Sequence, residues 1–378
     1  MIFKNGSVFT DKGVFESVDV QVQNGLIAKV GANLSSDGEE VIDLKGKKLL
    51  PGFIDIHSHG CGGADFCDGS EESFQKMANT YIRAGVTTVM TTSMTLPPET
   101  LSQLFKVYKN FADNQSTQGS RLYGINMEGP FLSKEKKGAH VEEYIIPADI
   151  ELFKKLNEES GNRVRLVDVA PEVPGNMDFI AEAKDICTVC VAHTNGNYQT
   201  TMDAYEKGAT STTHLYNAMT GLSHREPGVV GAAYDSDAFV ELICDGIHIH
   251  PAVIRTTFKV FGEDRICMIS DSMCAAGMPE GVYELGGQAV YVKDGKAALE
   301  NGTIAGSVVN SLIGVKRLME FGIREEAALK AATINPAKAV KIDSLTGSIT
   351  EGKWADLLIV DPTYHVEAVY RDGVKQKI

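Results

Sequence analysis

Eight short apolar runs alternate with helix-like segments through the middle of the chain, and this alternation constrains the fold more than any other feature. Such a pattern predicts parallel strands joined by crossover helices. Eight strands of this kind close into a barrel, so the sequence predicts a (β/α)8 barrel. The runs cover residues 53–56, 87–91, 122–127, 164–169, 187–192, 211–213, 239–244 and 266–270. The helix-like segments cover residues 70–83, 98–112, 147–158, 176–184, 199–207, 251–261, 307–320 and 324–332.

The two ends of the chain differ from the middle because both are rich in short β-like runs. Asn24-Gly25 is a strong hairpin signal within the first end. The last end carries two further runs, at 356–360 and 365–370. We therefore predict a small β-sandwich domain made from both termini. The predicted boundaries are 1–51 plus 342–378 for this domain, 52–341 for the barrel, and 281–306 for a β-hairpin insertion within the barrel.

Charge and composition narrow the classes of partner. The 378 residues carry 36 basic and 50 acidic groups, a formal net charge of −14. This balance argues against nucleic acid or an anionic membrane as a partner. The N-terminus lacks the pattern of a signal peptide, and no apolar run of about 18 residues suggests a membrane span, so we expect a cytoplasmic protein. The odd count of seven cysteines favours reduced thiols.

Potential metal ligands stand at the ends of five of the predicted strands. His57 and His59 close the first run, and residues i and i+2 of a strand project to the same face. Active sites of such barrels lie at the carboxyl ends of the strands. A single histidine or aspartate is more often structural, but the joint placement of six favours a site. The six residues are His57, His59, Glu128, His193, His214 and Asp271.

This set of side chains predicts a hydrolytic metal centre. Imidazole and carboxylate together suit zinc, iron, manganese or cobalt rather than calcium or copper thiolate sites. A divalent ion lowers the pKa of bound water toward neutrality. A nearby carboxylate can then move a proton to a leaving group, and Asp271 is the candidate because it follows the last strand. Hydrolysis of an amide or a related bond is the expected reaction.

Several motifs together resemble the amidohydrolase superfamily, and within it the deacetylases that act on N-acetylglucosamine 6-phosphate. The opening His-x-His pair is shared by many amidohydrolases, whereas the later motifs are specific to the deacetylases. The resemblance extends through nearly the whole chain. Its motifs are the segments 51–60, Glu128-Gly-Pro130, Ala192-His193, Thr213 to Met219, Arg225 to Gly228, Asp245 to His248 and Ser270-Asp271.

The resemblance implies a role for each potential ligand. Glu128, His193 and His214 correspond to the ligands of the principal metal. His57 and His59 correspond to a second metal site, which leaves one or two ions per chain possible, with Glu128 as the bridge. Asp271 corresponds to the general base and acid and belongs to the same metal site. A carboxylated lysine, common after the fourth strand of two-metal relatives, has no counterpart here because that run ends in Val169-Ala-Pro-Glu172.

The resemblance also implies a binding site for a sugar phosphate. His140 corresponds to the residue that polarises the acetyl carbonyl, although a solvated loop histidine is the alternative. Arg225 corresponds to a phosphate ligand, although a surface cation is the alternative. A homodimer is implied, in which the partner chain completes the phosphate pocket. The other implied substrate contacts are Ala139, Asn217, Ala218, His248, Ile304, Ala305 and Gly306.

Three functions follow from these motifs. The favoured one is metal-dependent deacetylation of N-acetylglucosamine 6-phosphate to glucosamine 6-phosphate and acetate. The second is a different amidohydrolase, or a deacetylase for another amino-sugar phosphate such as N-acetylgalactosamine 6-phosphate. The third is a non-catalytic assembly protein on the same scaffold, which the intact set of ligands disfavours.

Overall fold

A single sheet of eight parallel strands forms the centre of the molecule. The computed structural model describes all 378 residues. The strands follow one another in chain order around the sheet, so each is joined to its neighbour by a crossover connection. The predicted barrel and all eight of its strands are confirmed. The strands are Phe53–Ser58, Val86–Ser93, Arg121–Met127, Val164–Val169, Thr188–Val191, Ser211–Thr212, Phe239–Ile243 and Ile266–Ile269.

The barrel closes where its last strand meets its first. The backbone N–H of Asp271 donates to the carbonyl of His57 at 2.9 Å, and that of His59 donates to the carbonyl of Ser272 at 2.8 Å. Both contacts lie just beyond the carboxyl ends of the two strands. Closure therefore brings the first and last functional segments of the barrel side by side.

Helices surround this sheet. Of the predicted helices, the one expected from Ser307 begins at Ser311, because the side chain of Asn310 caps it by accepting from the N–H of Ile313 at 3.0 Å. No helix combines the length and the apolar character that crossing a bilayer requires. The helices are Glu71–Tyr81, Pro98–Asp113, Ile150–Glu159, Asn176–Ala183, Tyr198–Lys207, Gly228–Asp235, Pro251–Phe261, Ser311–Glu320, Glu325–Ala332 and Ile334–Ala339.

Two of these helices were not predicted from the sequence. Gly228–Asp235 is made largely of small and apolar residues, six of which are buried, so it has no polar face to mark a helical period. Ile334–Ala339 has only six residues and contains Pro336. Both lack the amphipathic pattern by which the longer helices are recognised.

Apolar side chains fill the interior of the barrel below the strand ends. Residues of the last helix, including Ala337 and Ala339, pack against this interior and close its lower end. The barrel is therefore open only at the carboxyl ends of its strands, where its polar residues lie. The interior residues are Ile54, Ile56, Met90, Leu166, Cys190, Ile243, Cys267 and Ile269.

Both ends of the chain form sheets outside the barrel. A six-stranded sheet contains strands from both termini, and Leu49 pairs there with Ile359. A four-stranded sheet comes from the N-terminal end alone, and the two sheets share a buried core that includes Phe3 and Tyr370. The four-stranded sheet contains Ile2–Lys4, Asp19–Gln23, Leu26–Gly31 and Val41–Asp43, and the six-stranded sheet Ser7–Phe9, Phe15–Glu16, Lys48–Pro51, Leu357–Val360, Val366–Arg371 and Val374–Lys375.

A three-stranded antiparallel sheet occupies the segment predicted as a hairpin insertion. It consists of Gly281–Leu285, Gln288–Lys293 and Lys296–Ala298. The side chain of Gln288 donates to the carbonyl of Ala139, so this sheet is fixed against the loop that follows the third barrel strand. The insertion therefore borders the open end of the barrel.

Truncating the barrel interior should destabilise the protein. Leu166→Ala removes a fully buried side chain, and we expect the free energy of unfolding to fall by about 2–5 kcal/mol. Denaturant unfolding followed by circular dichroism measures this change. Leu222→Ala is the matched control because Leu222 is 55% exposed, and its effect should stay within about 0.5 kcal/mol. Equal losses in the two variants would contradict the packing described here.

Candidate metal centre and active site

Glu128 lies at the centre of a cluster of buried imidazoles. It follows the third barrel strand and is 2% exposed. Its Oε1 lies 3.1 Å from Nε2 of His193 and 3.0 Å from Nε2 of His214. Its Oε2 lies 3.2 Å from Nε2 of His59 and 3.4 Å from Nε2 of His140. One carboxylate thus meets imidazoles that come from four separate segments of the chain.

Five of the six predicted ligands form two groups that share Glu128. The ligand atoms within each group lie within 4.8 Å of one another. Asp271 joins the cluster, because its Oδ1 lies 3.3 Å from Nε2 of His59 and 3.6 Å from Nε2 of His57. The first group is His57, His59 and Glu128, and the second group is Glu128, His193 and His214.

Hydrogen bonds to the outer ring nitrogens orient two of these imidazoles with Nε2 toward Glu128. Nδ1 of His59 lies 3.2 Å from the carbonyl of Thr92, and Nδ1 of His193 lies 2.7 Å from the carbonyl of Lys136. A carbonyl can only accept, so each Nδ1 donates, and Nε2 is the nitrogen available to a metal. This is the arrangement by which second partners orient metal-binding histidines.

The spacing of the inner nitrogens fits a cation. Nε2 of His193 and Nε2 of His214 are 3.1 Å apart. Nε2 of His57 is buried and has no hydrogen-bond partner. Lone pairs that converge on a carboxylate repel unless a positive charge lies among them. The residues present therefore fit a divalent ion held by imidazole and carboxylate.

Electrostatics keep the two site carboxylates ionised. Burial raises the pKa of Glu128, but the imidazoles of His57 and His140 outweigh burial and hold that pKa well below its usual range. Burial likewise raises the pKa of Asp271, and the bond to His59 outweighs it, so this pKa is also lowered. Burial lowers the pKa of His193 to about 4. The cluster thus offers anionic oxygens and, at His193, a neutral imidazole, which are the forms that bind metal.

The backbone adopts a rare conformation at three of these residues. His193, His214 and Asp271 follow the ends of their strands with φ of 41°, 28° and 45°. A residue with a side chain is strained in this region by about 1–3 kcal/mol, and such strain concentrates at functional sites. The left-handed turn directs each side chain toward the open end of the barrel rather than along the strand.

A cavity of about 350 Å³ opens directly over the cluster. Its volume falls in the range of small-molecule sites. Asp271 and all of the second ligand group line it. Of the predicted substrate contacts, Ala139, Asn217, Ala218, His248, Ile304 and Gly306 line the cavity. Ala305, between two of them, is buried and does not line it.

His140 is part of this cavity rather than a solvated loop residue. It is 2% exposed, and its Nδ1 accepts from the backbone N–H of Thr95 at 3.2 Å. In the neutral ring the proton therefore lies on Nε2, which faces Glu128 and the cavity. The alternative of a solvated histidine is wrong, and His140 is placed to donate a hydrogen bond into the cavity.

Arg225 is the one predicted substrate contact that the fold leaves far out in solvent. It lies in the exposed segment 221–226, makes no ion pair, and is absent from the cavity wall. Within one chain it is a surface cation. Apart from histidines, Lys136 is the only basic residue that lines the cavity.

Several residues of the site were missed from the sequence. Asn126 and Glu241 are polar residues inside largely apolar barrel strands, and each is fully buried. A lone polar side chain in such a strand was the available signal, because an inward polar group needs a partner. Lys136, in a short 3-10 helix, and Thr303, in a loop, line the cavity without such a signal.

Comparison with known proteins identifies relatives over the full length. The model of the amidohydrolase family matches residues 49–377. An N-acetylglucosamine-6-phosphate deacetylase from Bacillus subtilis is 37% identical, covering 95% of this chain and 93% of that protein. An N-acetylgalactosamine-6-phosphate deacetylase from Escherichia coli O157:H7 is 33% identical, covering 97% and 96%. The crystal structure of N-acetylglucosamine-6-phosphate deacetylase from Pasteurella multocida superposes with a TM-score of 0.93 at 33% identity, covering 100% and 99%.

Divalent metal should bind to the folded chain and stabilise it. Dialysis against a chelator should lower the melting temperature, and Co²⁺ or Zn²⁺ should restore it, with about 2.7 kcal/mol gained at a hundredfold excess over Kd. Glu128→Gln should abolish this rise, because both ligand groups contain Glu128. Thermal unfolding with and without metal checks both statements.

A matched control for this experiment is Glu182→Gln. Glu182 lies on the helix Asn176–Ala183 with a side chain that is 55% exposed. This variant should respond to metal as the unmodified protein does. An undiminished metal response in Glu128→Gln would contradict the assignment of the centre.

Proposed function

The chain belongs to the amidohydrolase family, and from this premise we infer that it is a metal-dependent deacetylase. Its substrate is N-acetylglucosamine 6-phosphate, and its products are glucosamine 6-phosphate and acetate. The observation that carries this conclusion is the convergence of four imidazoles and Asp271 on Glu128 beneath one cavity. Family and relatives favour an enzyme over a non-catalytic assembly protein.

A divalent metal would be held by the two groups that share Glu128. His193 and His214 complete the principal group, and His57 and His59 complete the other. The sharing of one carboxylate supports a centre with room for two ions, of zinc, iron, manganese or cobalt. When bound, such an ion polarises a carbonyl oxygen and lowers the pKa of water.

Asp271 moves the proton in this reaction. Its carboxylate lines the cavity and is held ionised beside His59. It accepts a proton from the attacking water and returns that proton to the nitrogen of the departing amine. The base and the acid are thus one residue at two stages, and the amine leaves in neutral form.

His140 stabilises the developing charge on the acetyl oxygen. The N–H of Thr95 occupies Nδ1 of His140, so Nε2–H is the donor that faces the cavity. A donor fixed before the reaction is stronger than one that must reorient. Ala139 lies beside it in the cavity wall and contacts the substrate there.

The sugar phosphate lies farther along the cavity. The carboxylate of Asp245 contacts Nδ1 of His248 at 2.6 Å, so His248 is oriented with Nε2 available. Asn217, Ala218, Ile304 and Gly306 provide the remaining contacts to the sugar and its phosphate. Since Arg225 lies outside the cavity of its own chain, we assign it to the phosphate bound by the partner chain of a homodimer. This enzyme works in the cytoplasm.

Acetate release measures the proposed activity and separates the alternatives. The purified protein should release acetate from N-acetylglucosamine 6-phosphate faster than from N-acetylglucosamine, because the phosphate contributes binding energy. N-acetylgalactosamine 6-phosphate tests the other sugar epimer in the same assay. A higher kcat/KM for the galactose epimer would replace the proposed substrate with that alternative.

Replacing Asp271 should stop turnover while the metal remains bound. Asp271→Asn keeps the shape of the side chain but removes the base, and we expect kcat to fall by about 10²–10⁴-fold. Metal content, measured on the same preparation by mass spectrometry, should remain close to that of the unmodified protein. Full activity in this variant would rule out the role given to Asp271.

A mixture of two inactive variants tests the role of Arg225 across a dimer. In a mixed dimer of Arg225→Ala and Asp271→Asn chains, one of the two sites has both residues intact. Random pairing should restore about a quarter of the original activity. Arg83→Ala, at another exposed arginine on this chain, should by itself leave activity unchanged. If mixing restores nothing, or if Arg225→Ala alone is fully active, the assignment is wrong.

A further inference from the structure

Glu241 is a buried carboxylate that the proposed reaction does not use. It lies in the middle of the seventh barrel strand, Phe239–Ile243, and is fully buried. A carboxylate in such a place is costly unless it is paired. No lysine or arginine contacts it, so its partners must come from the metal centre above it.

Its side chain contacts a residue of each ligand group. Oε2 of Glu241 lies 3.0 Å from Nδ1 of His57. The same oxygen accepts from the backbone N–H of His214 at 3.4 Å. The backbone carbonyl of Glu241 accepts from the N–H of Leu215 at 2.9 Å. Glu241 therefore contacts one residue of each ligand group from inside the barrel.

The first contact decides which nitrogen of His57 carries the proton. A carboxylate oxygen accepts, so Nδ1 of His57 donates to Glu241. Nε2 is then the nitrogen that faces the metal centre, and it lies 3.6 Å from both Glu128 Oε1 and Asp271 Oδ1. The amide of Asn126 approaches the same Nδ1 at 3.2 Å but has no charge to compete with the carboxylate.

The other two contacts hold the backbone at His214. This residue has a φ of 28°, and its Nδ1 is buried without a partner. His59 and His193 are oriented by backbone carbonyls at Nδ1, but His214 has no such bond. Its ring is therefore placed by its backbone, and Glu241 accepts from two successive N–H groups of that turn.

We propose that Glu241 is a positioning residue that couples the two ligand groups, by fixing the tautomer of His57 and the backbone turn at His214. The inference rests on the proposed function, because it takes both groups as metal ligands. It assigns Glu241 no contact with substrate. Its effect must therefore appear in metal binding itself, whether or not a substrate is present.

The test is Co²⁺ titration of the metal-free full-length protein, followed by visible absorption. Glu241→Gln has the same shape, but its amide can either donate or accept and no longer dictates the tautomer of His57. We expect the apparent Kd for Co²⁺ to rise about 10–100-fold, as for other outer partners of metal ligands. The rise in melting temperature on adding Co²⁺ should shrink as well.

Asp168→Asn is the matched control. Asp168 is a second fully buried carboxylate inside the barrel, and its Oδ1 accepts from the hydroxyl of Thr213 at 2.7 Å. It contacts no ligand side chain. Burial and the charge of Glu128 raise the pKa of Asp168 to about 8, so Asn replaces a group that is mostly neutral at pH 7. This variant should bind Co²⁺ as the unmodified protein does.

A double-mutant cycle with His57→Asn separates positioning from general destabilisation. If Glu241 acts through His57, Glu241→Gln should weaken Co²⁺ binding less in the His57→Asn background. Unchanged Co²⁺ affinity in Glu241→Gln, with only a lower melting temperature of the metal-free form, would overturn the proposal. If the Gln variant does not fold, Glu241→Leu repeats the measurement with an apolar side chain.

This experiment also separates the proposal from the proposed function. If the unmodified protein does not bind Co²⁺, the metal-dependent activity itself is wrong. If the unmodified protein binds Co²⁺ and both buried carboxylate variants match it, only the role of Glu241 is wrong.

Discussion

Closure of the barrel between its last and first strands is the constraint on which the site depends. The two strands begin 213 residues apart in the chain, at Phe53 and Ile266. The bond from the N–H of Asp271 to the carbonyl of His57 joins them at the mouth of the barrel. Asp271 and the histidine pair are neighbours only because the cylinder is complete. An open sheet with the same strands would leave them at opposite edges.

Charge balance explains why so many ionisable groups can be buried together. Glu128, Asp271 and Glu241 are each at least nine-tenths buried, and no lysine or arginine pairs with them. The only cationic partners within the chain would be protonated imidazoles. A bound divalent ion supplies positive charge at the same place and leaves the imidazoles neutral. A metal bound by these residues would thus stabilise the fold at this end of the barrel.

Much of this arrangement could be predicted from the sequence because it depends on local patterns. The apolar runs gave the eight strands, and the position of His57 or Glu128 after a run placed the side chain at the mouth. The turn at His214 could not be predicted, since positive φ in a non-glycine residue has no compositional mark. The bond between Glu241 and His57 joins residues 184 apart, which no local pattern reveals. The exposed position of Arg225 depends on packing that its motif does not encode.

Because the molecule carries a large net negative charge, phosphate binding must depend on groups close to the phosphate. A chain with a net charge of −14 repels a sugar phosphate at long range. The cavity wall carries three carboxylates, those of Glu128, Asp271 and Glu135, and a single lysine, Lys136. Phosphate must therefore be recognised at short range by groups that outweigh this field, and a guanidinium does so with two parallel bonds. Arg225 is exposed and without an acidic partner in its own chain, so its full charge is available to an anion.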